Sequence, residues 1–310
     1  MLVLRGFSRP APRATALTIG NFDGVHRGHR ALLGRLRAVA GERGLLPAVL
    51  TFEPHPREFF SPQAAPPRLS SLREKLEMFA EEGVALCCVR RFDAAFAALP
   101  AREFIERMLV DTLKTGYLIV GDDFCFGARR EGDFAALRAA GEHHGFGVER
   151  TASVMADGER VSSSAVRAAL ASGDMARAAR LLGRPYSIDG RVVRGEQLGR
   201  RLGFATANLR IKHERPPLSG VFVVEARGIG DDADDPRRGI ANVGVHPSAR
   251  RLPRPLLEVH LFDFCADIYG AHLNVRFMHR LRSEQHFPNH AALQAQIARD
   301  VESARQYFNH

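Results

Sequence analysis

The segment GNFDGVHRGH, residues 20–29, places His26 and His29 three positions apart among Gly20, Gly24 and Gly28. The apolar run TALTI precedes it, and Leu32, Leu36 and Val39 recur behind it at helical spacing. A strand therefore ends here, glycines permit a tight turn, and a helix begins with both imidazoles on one face. The first turn of a helix offers free N–H groups and the positive end of the dipole, so it attracts phosphate, and two imidazoles there can donate hydrogen bonds to a polyphosphate. A surface histidine pair would account for the HxxH spacing alone, but not for three glycines at the end of a strand. No GxxxxGK[ST] occurs in the chain, so a nucleotide bound here is held without a Walker lysine.

Three other groupings carry chemistry. RVSSSAVR sets Arg160, Ser163, Ser164 and Arg167 at the start of another helix, where the serines can serve as plain caps or, with the arginines, as a charge-stabilising edge for a polyphosphate. Gly195, Gly199 and Gly203 lead into Thr206 and Asn208. A hydroxyl and an amide oxygen two residues apart in extended chain point the same way and can reach one Mg²⁺. In LLEVHLFDF, Glu258 alternates with His260 and is out of phase with Leu257, Val259 and Leu261; such a carboxylate is either a solvated outer residue or a general base that takes a proton from a substrate hydroxyl.

These residues need a scaffold. In the first half, TALTI (15–19), AVLTF (48–52), ALCCV (85–89) and YLIV (117–120) alternate with amphipathic segments, among them Phe104, Ile105, Met108 and Leu109. That rhythm predicts βαβ units, a mostly parallel sheet with helices on both faces. GNFDGVHRGH, EPHP, RRFD and GDDFCFG each follow one of the runs, so all four loops fall on the sheet edge where ligands bind. A small helix ending at Gly183 then gives way to RVVRG, GVFVVEARG, GIANVGV, LLEVHLFDF and HLNVRFMHRL, the spacing of a small barrel or sandwich. The tail predicts one helix, capped by Asn289, with Leu293, Ile297, Val301 and Phe308 as its apolar stripe. The expected division is a nucleotide domain over 1–171, a linker helix over 172–183 and a β domain over 184–310.

The 310 residues allow two domains of ordinary size, and 45% hydrophobic with 25% charged residues is the composition of a globular protein. No run approaches the roughly 20 apolar residues of a membrane span, and the opening residues lack the apolar core of a signal peptide, so a cytoplasmic protein is expected. Cys87, Cys88, Cys125 and Cys265 show no ligand spacing and are expected to be reduced and mostly buried. The net charge of +9 raises a nucleic-acid partner, yet the arginines are dispersed, only Lys75, Lys114 and Lys212 are lysines, and there is no tryptophan. Neither nucleic acid nor membrane is expected as a partner. The acidic run at 231–235 reads as a solvated loop.

GNFDGVHRGH, TFEPHP, VGDDFCFG and RVSSSAVR resemble the motifs of the nucleotidyltransferase half of bacterial bifunctional riboflavin kinase/FAD synthetases. GRRLGFATAN, ANVGVHPS, LEVHLFDF, DIYG and LRSEQHF resemble the kinase half, in the family's order. The resemblance implies a Rossmann-like HxGH nucleotidyltransferase domain followed by a Greek-key β-barrel with a C-terminal helix. It implies that ATP and Mg²⁺ serve two reactions, riboflavin to FMN in the second module and FMN to FAD in the first, with the flavins as substrates and products. It further implies catalytic roles for His26, His29, Arg160 and Glu258, nucleotide contacts from Gly20, Phe22, Asp23, Gly24, Asp123, Ser163, Ser164, Arg167, Gly195, Gly199 and Gly203, and Mg²⁺ ligation by Thr206 and Asn208. By the same resemblance Asp23 either orients Mg²⁺ or caps the first helix, the capping role being favoured, and His55 of EPHP either borders the flavin phosphate or sits in a plain prolyl turn. Asp123 stands where family members often carry Asn, Ala205 where Pro is usual, and Ser248 and Ala249 where Thr-Phe is usual. The competing expectation is another HxGH nucleotidyltransferase whose barrel is not catalytic.

Overall fold

The computed structural model describes residues 1–6, 9–195, 203–211, 215–229, 235–246 and 254–309, with the backbone alone at 245, 246, 254 and 255. The chain divides into two compact units, one formed by 1–66 and 72–161, the other by 67–71 and 162–310.

The first unit is built on six parallel strands: β1 (Leu2–Arg5), β2 (Thr15–Ile19), β3 (Leu46–Glu53), β4 (Leu86–Arg91), β5 (Thr115–Gly121) and β6 (Gly147–Thr151). Their order is β1-β4-β3-β2-β5-β6. Every residue of β2 is buried, as expected for a central parallel strand covered on both faces. TALTI is thus the second strand rather than the first, because Leu2–Arg5 pairs along β4 at the edge. Alternate residues feed two cores. Leu17, Ile19, Leu50, Leu118 and Val120 face one side with Met108 and Leu109; Ala16, Val49 and Ile119 face the other with Leu33, Leu36 and Val39 of helix α1 (Arg27–Arg43). The neighbours Cys87 and Cys88 point to opposite cores, and burial pushes their thiols up to about 12 and about 11. The expectation of mostly buried cysteines holds for this pair only, since Cys125 is half-buried and Cys265 exposed. Helices α2 (Pro56–Phe60) and α3 (Leu72–Glu81) follow β3. Before β5 the apolar spacing belongs to a π-helix, Phe104–Thr112, and α4 (Phe134–His144) precedes β6. A two-stranded hairpin, β7 (Met155–Ala156) with β8 (Glu159–Arg160), ends the unit.

In the second unit α5 (Ser163–Ser172) packs against α6 (Met175–Leu182), which ends at Gly183 in left-handed conformation. Then come β9 (Tyr186–Val193), β10 (Ala207–Arg210), β11 (Gly220–Arg227), β12 (Arg237–His246), β13 (Arg254–Leu261) and β14 (His272–Arg282). They close as an antiparallel barrel, β10-β13-β12-β11-β14-β9, rather than stacking as a sandwich. Ile188, Val192, Leu209, Val224, Ala241, Val243, Leu257, Val259 and Phe277 are buried. Helix α7 (His290–Phe308), capped by Asn289, covers Val223 and Ile240 with Ile297, Val301, Ala304 and Phe308.

One ion pair fastens that helix. Arg282 at the end of β14 donates from Nε and Nη2 to Asp300 at 3.0 and 2.8 Å, and Gln296 adds a bond of 2.9 Å to the same carboxylate. The side chains are only 14% and 5% exposed. Asp300→Ala would strand a buried guanidinium, so it should cost about 3–5 kcal/mol, read as a lower denaturation midpoint of the barrel unit.

Candidate active sites

The sheet of the first unit is wholly parallel, so the loops after β2, β3, β4 and β5 share one edge. In the loop after β2 the chain turns at Phe22 (φ 50°) and Gly24 (φ 82°) and enters α1 through His26, the N-cap. The backbone N–H of His29 donates to Nδ1 of His26 at 3.3 Å. A neutral His26 therefore carries its proton on Nε2. The two imidazoles stack, with centroids 3.6 Å apart and an interplanar angle of 14°. Nδ1 of His29 is buried with no hydrogen-bond partner among the described residues. Burial first, then the neighbouring His26 and Lys75, hold the pKa of His29 well below its ordinary value, so this ring is neutral at pH 7 and acts as a hydrogen-bonding group rather than a cation.

The flanking residues explain the pair. Phe22 is 1% exposed, and its ring lies 4.9 Å from His29 and 5.3 Å from Phe79. Its side chain is core and packs against the His29 ring. Asp23 is buried and is not the cap of α1, since His26 holds that position. At Gly28 a side chain would come within 3.2 Å of the His26 ring and 3.7 Å of the Val161 carbonyl oxygen. Gly28→Ala should make the His26 ring give by a few tenths of an ångström, and since misplacement by about 1 Å costs up to roughly 10²-fold in rate, a several-fold loss is expected; a turnover assay of the first unit's reaction, run beside that of the barrel, measures it.

Arg160 stands exposed on the hairpin, its side chain 53% accessible. Its Nη2 lies 3.2 Å from Asp122 and 3.2 Å from Asp123 at the end of β5, while Ser153 donates to Asp122 at 2.8 Å. Two carboxylates at that strand end face the hairpin and draw in the guanidinium; the Ser153 bond, with the Arg160 charge behind it, lowers the pKa of Asp122. Ser163, Ser164 and Arg167 belong to the second unit. Ser162, not either of the other serines, caps α5 by accepting from Ala165 at 3.2 Å, and Arg167 Nε donates to the Pro67 carbonyl at 2.6 Å. His55 caps α2, accepting from Arg57 at 3.1 Å while its own N–H donates to Glu58 at 3.1 Å.

In the barrel, antiparallel register sets Asn208 of β10 opposite Glu258 of β13, and Glu258 opposite Asn242 of β12. Directly opposed residues share a face, so Asn208, Glu258 and Asn242 form one row. Its neighbours Leu209, Leu257, Val259, Ala241 and Val243 fill the interior, which puts the row on the outer face. Gly195 lies against the Asn208 amide so closely that a side chain there would collide with it. Thr206, immediately before β10, and Asn208 line a cleft of about 460 Å³ with Cys265, Asp267, Ile268 and Tyr269. Asp267 accepts from the Tyr269 N–H at 2.9 Å, and Arg194 lies over the Tyr269 ring at 5.4 Å. Gly203 is left-handed, φ 88°. Gly199, Ser248 and Ala249 lie outside the described residues.

Comparison with known proteins assigns both units. A family model described as FAD synthetase matches residues 8–165, and one described as riboflavin kinase matches residues 182–308. The bifunctional riboflavin kinase/FMN adenylyltransferase of Escherichia coli K12 is 47% identical over 99% of this chain and 98% of its own. The chain belongs to the bifunctional riboflavin kinase/FMN adenylyltransferase family. A member from Haemophilus influenzae is 46% identical over 95% of this chain and 94% of its own. A solved structure titled as a macrolide-efflux protein from Streptococcus pneumoniae is 26% identical, with a TM-score of 0.82 over 98% of this chain and 99% of that one. Among the described residues, no helix is long and apolar enough to cross a membrane.

Within this family frame, the adenylyltransferase unit joins His26 and His29 as expected, and holds Arg160 with Asp122 and Asp123. The kinase unit joins Thr206 with Asn208 in the cleft and Asn208 with Glu258 by register. Register adds Asn242 to the row and the cleft adds Asp267, neither of which stood out as a candidate in the sequence. DIYG, which contains Asp267, was legible only as part of a resemblance, and Asn242 is marked by nothing but its place beside Glu258 once strands are paired.

Proposed function

We propose that the barrel unit phosphorylates the terminal ribityl hydroxyl of riboflavin and that the sheet unit transfers AMP from a second ATP to the FMN so formed. In the first reaction Glu258 takes the hydroxyl proton, the oxygen bonds to the γ-phosphorus of ATP, and ADP leaves. In the second, a phosphate oxygen of FMN, already ionised at neutral pH, bonds to the α-phosphorus, and the α–β bridge breaks to release pyrophosphate. No general base is needed there; positioning and neutralisation of charge on the phosphates carry the rate. The stacked imidazoles of His26 and the neutral His29, set at the start of α1 where the helix dipole favours phosphate, suit that task.

Thr206 and Asn208 fit Mg²⁺, since a hydroxyl and an amide oxygen on one wall of the cleft are hard oxygen donors. When bound there with ATP, the ion neutralises charge on the transferred phosphoryl group. The observation that carries the division of labour is that each unit has its own phosphate-directed group, a stacked imidazole pair at a helix start in one and a carboxylate beside the Thr206–Asn208 pair in the other. Incubation with riboflavin, ATP and Mg²⁺ should give FMN with one ADP each, then FAD with one pyrophosphate each. FMN accumulating without FAD, even with excess ATP, would favour a kinase joined to an inactive nucleotide domain.

A further inference from the structure

The kinase unit holds a second carboxylate that the reaction above does not use. On β12, Gly244 is two residues from Asn242, and it pairs with Leu256 two register positions along from the Asn242–Glu258 pair. Residues two apart on a strand share a face, so the bare backbone of Gly244 lies on the outer face that carries Glu258. The backbone at 244 is not left-handed, so its conformation does not demand glycine. The Glu284 carboxylate lies over that bare backbone, its carboxyl carbon 2.9 Å from where a Cβ would stand, so a side chain at 244 would displace it.

Glu284 is exposed, yet the residues before it are fixed. Arg282 is clamped to Asp300, Arg280 donates to the Ser283 hydroxyl at 3.0 Å, and Arg282 Nη1 donates to the Ser283 carbonyl at 3.2 Å. The carboxylate thus lies over a strand position without a side chain, and the chain that carries it is held at Ser283. Pre-set geometry of this kind belongs to a binding group. Two residues of strand span about 7 Å, which sets the distance from the Gly244 pair to the Glu258 pair and matches the reach of a short polyol.

We propose that Glu284 binds substrate in the kinase unit, its carboxylate accepting hydrogen bonds from inner hydroxyls of the ribityl chain while Glu258 takes the proton from the terminal one. Carboxylates accept strongly from hydroxyls, and holding the chain at a second point presents its end to Glu258. This inference rests on the reading of Glu258 as the base.

Steady-state riboflavin phosphorylation by Glu284→Ala, Glu284→Gln, Gly244→Ala and the double variant Gly244→Ala/Glu284→Ala tests it, with adenylylation of added FMN by the same preparations as the control for folding. Glu284→Ala should raise KM for riboflavin roughly 10- to 100-fold, as loss of a charged hydrogen-bond partner does, with kcat nearly unchanged; Glu284→Gln, still an acceptor, should fall between. Gly244→Ala should raise KM similarly by displacing the carboxylate, and the double variant should be no worse than the worse single one. An unchanged KM in Glu284→Ala overturns the proposal, as does multiplication of the two single defects. If Gly244→Ala fails to fold, Glu284→Ala alone decides. Failure of the Glu258 reading is distinguishable, because it would show as a normal kcat in Glu258→Ala whatever the Glu284 variants do.

Discussion

Glu258→Ala should lower riboflavin phosphorylation by about 10²- to 10⁴-fold, the usual contribution of a positioned general base, while added FMN is still converted to FAD at close to the normal rate. The prediction follows from where the residue stands. Leu257 and Val259 on either side of it are fully buried in the barrel interior, so the alternation of the strand turns Glu258 to the outer face, beside Asn208. Removing a carboxylate from that face leaves the core untouched, and the loss should appear in kcat with little change in thermal stability. The comparison between the two reactions on one preparation is the measurement, and equal loss of both by a folded variant would contradict the division of labour.

His29→Ala should do the reverse. It should slow adenylyl transfer to FMN by roughly 10²- to 10³-fold, the scale seen when one donor aimed at developing charge is removed, and leave riboflavin phosphorylation intact. The ring also predicts a pH effect. Burial, followed by His26 and Lys75, lowers the pKa of His29, so the unfolded chain takes up this proton at an ordinary pKa of about 6.5 while the folded protein does not. Below that pH the unfolded state binds more protons, and stability should fall as pH drops from about 6.5 to the depressed folded value. Above it the contribution of His29 is constant. The denaturation midpoint of the first unit, followed from pH 7.5 to 5 in wild type and His29→Gln, should decline less steeply in the variant.

The sheet and barrel were legible because their signals are local. Each apolar run of four or five residues is a buried strand, and each is followed by a loop of unusual residues at its carboxyl end. The edge strands were not legible. Leu2–Arg5 and Gly147–Thr151 each pair on one side only, so they carry few buried residues and no strong pattern; four polar or small residues in GVERT give no hint of a strand. In the sites, the spacing of His26 and His29 placed them at a helix start, but not the use of His26 Nδ1 as the cap, which depends on a rotamer. The burial of the Phe22 ring was not legible, because a turn residue next to glycines is usually exposed; here left-handed backbone turns the ring into the core. The grip of Asp122 and Asp123 on Arg160 joins residues 37 or 38 apart in sequence, and the row Asn208–Glu258–Asn242 joins three strands. Pairings of that kind are set by register, which residue types alone do not report.

The most direct measurement is a crystal structure of the intact protein with Mg²⁺ and a non-hydrolysable ATP analogue. The expected result is a nucleotide in each unit: one with its phosphates at the start of α1, within hydrogen-bond distance of His26 Nε2 and the His29 ring, the other with its phosphates and Mg²⁺ at Thr206 and Asn208, and Glu258 facing the γ-phosphate. A nucleotide in only one unit at saturating concentration, or phosphates that avoid either the imidazole pair or the Thr206–Asn208 wall, would contradict it.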